Sequence, residues 1–366
     1  MDLNMPPLAK GRLRQRRKVI GRLVSGLVLF AALLQTAWAE EVAAPDHQFQ
    51  LFVENDKWFG QSDRYYTNGI KFGLGNTLPE SLRQTVRDFL PRFDPINDER
   101  DIGLFFGQSI YTPKVITNPA PQPLDHPWTA FLYAGFVAQQ AHRDANQHTD
   151  RLDTVEIDIG VVGPLAQGQL VQTDFHKSCC TDSIPRGWRN QLPTEPAFMA
   201  TFLRKWRPYE GNFVDVVPHA GVTLGTMMTL ARVGGIVRIG YHLSGFGPDS
   251  IEPGGAMLQS NRRKLSLDQP WDGIEAYLFA GVDQRLVAYN LSLDGTVFHD
   301  SPHVNRRPHV YDFQTGAVVR WRGLDFFGVK AVNLSLLRIR RSEEFYTAAG
   351  GGGPQVFGSI NLGLEW

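Results

Sequence analysis

Cysteine is nearly absent. The 366 residues hold two, Cys179 and Cys180, side by side. Adjacent Cα atoms sit about 3.8 Å apart, too close for an unstrained bridge, so a disulfide framework is excluded. After residue 39 no apolar run reaches the length of a transmembrane helix, which excludes a helical bundle in lipid. The familiar catalytic signatures are also missing: there is no G-x-S-x-G elbow, no H-E-x-x-H and no C-x-x-C, so neither a sequence-marked serine nor a zinc site is indicated. A serine triad needs no local motif and stays open.

An excess of positive charge is missing too, once the N-terminus is set apart. Met1–Arg22 is basic, with Arg16, Arg17 and Lys18. The apolar "LVSGLVLFAALLQTAWA" follows and ends in Ala37-Trp38-Ala39. A basic region, an apolar core and an A-x-A site predict a secretory signal peptide over 1–39 that is removed. The remaining 40–366 is expected to form one domain. Taking the leader's seven Lys/Arg and one Asp from the totals of 37 and 37 leaves 30 basic and 36 acidic residues, a net charge of −6. Nucleic acid is therefore not an expected partner.

What is present is alternation. Segments near ten residues long carry apolar or small side chains on one parity and polar ones on the other: 48–55, 66–75, 101–110, 128–138, 153–162, 213–225, 229–241, 273–289, 310–323, 327–339 and 356–366. That pattern is the signature of a transmembrane antiparallel β-barrel, an all-β fold. Barrels favour even strand numbers. The segment 291–300 is the expected missing strand, giving roughly twelve. A soluble sandwich would alternate similarly. The ending "INLGLEW" argues against it, because Ile360, Leu362, Leu364 and Trp366 share one face. A terminal alternating strand ending in an aromatic resembles the signal read by the barrel-assembly machinery. The expected location is the bacterial outer membrane, as an integral protein.

One region breaks the rhythm. From Gly163 to about Trp206 the chain is too long for a turn and contains helical patches such as "AFMATFLRKW". An excursion with one or two short helices beside the barrel is expected, and long ordered loops tend to carry function.

Chemistry concentrates in two places. The first is "FVENDKWFGQSDRYYTNGIKFGLG", Phe52 to Gly75, with Asn55, Asp56, Asp63 and Thr67. The second is "GQLVQTDFHKSCC", with Gln172, Asp174 and His176. Asp and Asn at strand ends also cap turns, which is the plainer account of Asp63.

These blocks, with "GQSIYTP" (107–113), "DHPWTAFLYAG" (125–135), "DIGVVGPLAQGQLVQTDFH" (158–176) and "IPRGWRNQL" (184–192), resemble the outer-membrane lipid A 3′-O-deacylases. The resemblance implies calcium-dependent ester hydrolysis by an activated water, acting on lipid A of lipopolysaccharide and removing its 3′-linked acyloxyacyl chain. It matches the family's Asn-Asp pair to Asn55 and Asp56, its Y-T-x-G threonine to Thr67 and its histidine, the general base, to His176. An acidic residue beyond that histidine falls on Asp182, where this chain has one extra residue before Trp188. Ca²⁺ is the implied cofactor, with Asp56, Asn55, Thr67 and Asp182 as the implied ligands. The alternatives are a non-catalytic barrel, channel or structural, and a phospholipase acting on glycerophospholipids.

Overall fold

Strand alternation closes into a barrel. The computed structural model describes residues 47–60, 63–89, 100–143, 149–179, 183–209, 211, 213–255, 258, 273–347 and 352–366. The expected leader and its cleavage site lie outside the described residues. Twelve strands form one closed antiparallel sheet. In chain order they are β1 (Gln48–Asn55), β2 (Tyr65–Gly75), β3 (Arg100–Thr112), β4 (Thr129–Arg143), β5 (Thr149–Val162), β6 (Glu195–Trp206), β7 (Val214–Gly225), β8 (Met228–Tyr241), β9 (Gly273–Asn290), β11 (His309–Phe326), β12 (Val329–Arg341) and β14 (Gln355–Glu365). The last strand, β14, pairs with the first, β1, from Gln48–Glu365 to Asn55–Gly358, so no sheet edge is left to satisfy in lipid. The two-residue strands β10 (Asn305–Arg306) and β13 (Phe345–Tyr346) pair beside the barrel.

The count of twelve agrees with expectation, but the missing strand lies elsewhere. Residues 291–300 hold a short helix, Leu291–Asp294, and loop. The twelfth strand is β6, whose "EPAFMATFLRKW" is built from helix-favouring residues. Its slot decides the conformation. β5 pairs with it along its full length and β7 along part of it, and tertiary pairing overrides local propensity.

The two faces are inverted relative to a soluble protein. Outward positions are apolar and exposed: Leu278, Val282 and Leu286 on β9, Val319 and Trp321 on β11, Val233 and Val237 on β8. Inward positions are charged and buried. Asp215 accepts from Arg207 and Arg238, Asp312 accepts from Arg285 and Arg341, and Lys71 meets Glu156 at 2.7 Å. The described residues of the β8–β9 connection, 242–255 and 258, turn back into the lumen and bury Leu243, Phe246, Ile251 and Leu258 there. Near its tip, Ser250 Oγ and Ile251 N–H donate to Glu54, and Glu252 pairs with Arg341. Over the described residues the lumen is filled rather than open.

Strand parity sorts the connections. With β1 running toward one rim, the segments 56–64, 113–128 and 163–194 all emerge at that rim. His47 and Trp366 exchange backbone hydrogen bonds at the opposite end.

Candidate active site

β1 delivers the first group of side chains. Gln48, Gln50, Phe52 and Glu54 are buried toward the lumen, so Asn55 falls on the outer wall, opposite Asn68 of β2. A short helix, α1 (Lys57–Gly60), follows. It packs against the outside of β14, where the ring of Phe59 lies over Gly358 so closely that a Cβ there would come within 2.5 Å of it. The chain re-enters the sheet at Tyr65 with φ of 63°.

This loop is tied by its own polar groups. Asp56 is fully buried. Its Oδ1 accepts from the Thr67 hydroxyl at 3.2 Å and its Oδ2 from the Arg64 backbone N–H at 2.8 Å. Asn55 Oδ1 accepts from the Lys57 N–H. Asn55, Asp56 and Thr67 thus form one oxygen-rich cluster at the rim.

The excursion supplies the second group. A 3₁₀ turn (Pro164–Ala166) leads into α2 (Gly168–Cys179), which lies against the outer wall of the barrel. Gln108 donates to the Ala166 carbonyl, and Ile110, Trp128, Ala130, Ala166 and Trp188 share one apolar cluster. Gly168 permits the approach, since a Cβ there would meet Ala130 and Trp188 at 2.6 Å. On α2, Gln172 accepts from the Trp188 indole N–H at 2.9 Å. One turn later His176 is 2% exposed.

His176 reaches the opening loop through Asp63. Its Nε2 lies 3.4 Å from Asp63 Oδ1, and Asp63 Oδ2 lies 2.8 Å from Lys57 Nζ. Its Nδ1 lies 3.3 Å from the Ser183 hydroxyl. In the sequence Asp63 stands in the chemistry-bearing stretch with a turn cap as its alternative account, whereas Ser183 carries no local signal. Asp182 lies outside the described residues.

The neighbouring connection, 113–128, is held by His126. Its ring stacks on Tyr111 and on Tyr65, and its Nδ1 donates to the Pro127 carbonyl. Burial pushes its pKa down to about 4, so it sits there as a neutral ring.

The location matters as much as the contacts. Below the site, the outer faces of β2 and β3 present Ile70, Phe72, Leu104 and Phe106, with the Phe72 and Phe106 rings 5.7 Å apart. A polar cluster containing a histidine and two carboxylates therefore caps an apolar, outward-facing wall. Among the described residues no group of three His, Cys, Asp or Glu could hold a metal ion. The oxygens that remain are those of Asp56, Asn55 and Thr67, a donor set suited to a hard ion rather than to zinc.

The family described as "Outer membrane protein LpxR" matches residues 23–366. Among solved structures, LpxR from Salmonella typhimurium is 20% identical, superposes with a TM-score of 0.65, and is covered completely while covering 87% of this chain. The β domain of the Bordetella autotransporter BrkA follows at 11% identity and a TM-score of 0.41, covering 88% of this chain and 99% of its own. No curated protein sequence matches the chain.

Proposed function

This chain belongs to the outer membrane protein LpxR family, and from that premise we propose that it is an esterase that removes the 3′-linked acyloxyacyl chain of lipid A. It is an integral outer-membrane barrel. The observation that carries the reading is the place of His176. A buried imidazole with a carboxylate at one nitrogen and a hydroxyl at the other sits outside the barrel wall, directly above exposed apolar strand faces. A lipid ester has that shape: a polar headgroup at the rim and acyl chains along the wall. The rim that holds the site is then the extracellular one, because barrel termini normally lie in the periplasm.

In this reading His176 takes a proton from a water that attacks the ester carbonyl, and returns it to the departing sugar oxygen. Nε2 faces the Asp63 carboxylate, which only accepts, so Nδ1 is the nitrogen that receives the proton. The Ser183 hydroxyl stands at that nitrogen. Asn55 and Thr67 supply an amide and a hydroxyl beside the reacting carbonyl. Asp56, Asn55 and Thr67, with Asp182, are the residues that would hold Ca²⁺. When bound, such an ion supplies positive charge for the developing oxyanion.

The filled lumen argues against a channel. A phospholipase activity remains a matter of substrate, and lipid A mass spectrometry decides it. Cells producing the protein should show lipid A lighter by one acyloxyacyl group. Unchanged lipid A alongside released lysophospholipid would transfer the activity to glycerophospholipids.

One observation favours a second reading of the nucleophile. Ser183, His176 and Asp63 stand in the order of a serine triad. Ser183→Ala separates the two: water attack predicts retained deacylation, whereas an acyl-serine route predicts its loss, with wild type labelled by an alkyl fluorophosphonate at Ser183.

A further inference from the structure

We infer that Asp63 is a positioning residue for His176, holding the imidazole in the tautomer with hydrogen on Nε2 and leaving Nδ1 free to accept the substrate-side proton. The inference rests on the esterase reading above and adds to it a carboxylate that the family resemblance does not assign.

The geometry distinguishes Asp63 from its neighbour Asp56. Both oxygens of Asp56 accept within the hairpin, from Thr67 and from the Arg64 N–H. Asp63 instead directs its oxygens at two side chains from different elements, Lys57 Nζ of α1 and His176 Nε2 of α2. A residue present only to close a turn would bond to local backbone N–H groups. The loop fixes Asp63 from behind, since the Thr112 hydroxyl donates to its carbonyl oxygen. Lys57 sits on a helix whose Phe59 packs on β14, and the carboxylate lies between its ammonium and the ring.

The physical reason for such a partner is the tautomer. A neutral imidazole carries one N–H, and which nitrogen bears it is set by the bond the other environment offers. A hydroxyl such as that of Ser183 can donate or accept, so it imposes no choice. A carboxylate accepts only, and it places the hydrogen on Nε2. Nδ1 is then the acceptor on the side of Ser183. Loss of this constraint leaves the ring in place but lets the wrong nitrogen carry the hydrogen, which lowers the rate of proton transfer without weakening substrate binding.

The test uses the full mature barrel in detergent with ¹⁵N-labelled histidine, and His176→Ala to assign the His176 ring signals. Wild type should show the Nε2–H tautomer. Asp63→Asn should shift the signals toward Nδ1–H or a mixture, and kcat for lipid A should fall roughly 100-fold with KM within about twofold. Asp63→Glu should restore the tautomer and part of kcat. An unchanged tautomer in Asp63→Asn, or equal kcat in wild type and that variant, overturns the inference. Should Asp63→Asn not fold, as judged by heat-modifiable gel mobility, Asp63→Glu decides: a wild-type tautomer supports the inference and a changed one overturns it. The spectra need no substrate. If wild type fails to deacylate lipid A, the functional reading falls, while the tautomer still reports on Asp63 and His176.

Discussion

The lumen and the outer rim both bury charged and polar side chains, and they do so for different ends. In the lumen β7, β8, β9, β11 and β12 contribute to a dense lattice: Arg207 and Arg238 on Asp215, Arg285 and Arg341 on Asp312, Arg341 on Glu252. Asp215 and Asp312 each meet two arginines, as a low-dielectric site requires. At the rim the contacts are fewer and longer. His176 touches Asp63 at 3.4 Å and Ser183 at 3.3 Å. The lattice holds a filled barrel in one shape. In the proposed reading the looser set keeps the His176 imidazole in one orientation while leaving its second nitrogen to be contested by a substrate. Buried polarity alone does not locate a site; its position on the lipid-facing side of the wall does.

Breaking the rim should end chemistry without ending the fold. His176→Ala is expected to reduce lipid A deacylation by on the order of 10²-fold or more, while the barrel keeps its heat-modifiable mobility, because no strand ladder uses that side chain. Undiminished deacylation would remove His176 from the mechanism.

Chelation acts on the same rim from another direction. Excess chelator should abolish turnover, and added Ca²⁺ should restore it far better than Mg²⁺, which gives up its water reluctantly and demands tighter geometry. Full turnover in chelator would dismiss the cation from the proposal.

Breaking the lumen should do the reverse. Asp312→Ala takes one carboxylate from both Arg285 and Arg341, which keep Glu252, and is expected to cost about 1.5–3 kcal/mol of stability, read as a lower urea midpoint for unfolding. The activity of the fraction that remains folded should change little. A variant with native stability would show that the lattice is redundant.

The subtlest contrast is a pH effect at the rim's border. His126 is held neutral, with its pKa pushed down to about 4 from an ordinary 6.5 by burial. The unfolded chain therefore binds a proton between those values that the folded chain refuses, so stability falls as pH drops through that window. The loss approaches about 3 kcal/mol at pH 4. Replacement by Phe, which keeps the stacking on Tyr111, should flatten this acid limb. An equally steep limb in His126→Phe would assign the effect to other groups.

Much of this was legible in the chain itself. Alternation on eleven of the twelve strands is written residue by residue. So is the oxygen-rich turn at Asn55–Thr67, and the histidine of the excursion stands in a recognisable block. β6 was not legible, because Ala197, Met199, Leu203 and Lys205 favour helix locally, and only pairing with β5 and β7 makes them a strand. The inward fold of the β8–β9 connection was equally hidden, since Phe246 and Ile251 read as ordinary loop residues.

The division has a physical cause. Period-two patterning is a local property, because each residue's face follows from its place in its own strand. The sequence by itself therefore determined that a barrel forms, which residues face lipid, and which turn concentrates oxygen-bearing side chains. Which carboxylate meets His176 is a non-local property. It depends on α2 docking against the outside of β3 to β5 through Trp188 and Ala166, and on α1 bracing Lys57 against β14. Only when those two outer elements close on the same rim does Asp63, rather than Asp56, face the imidazole.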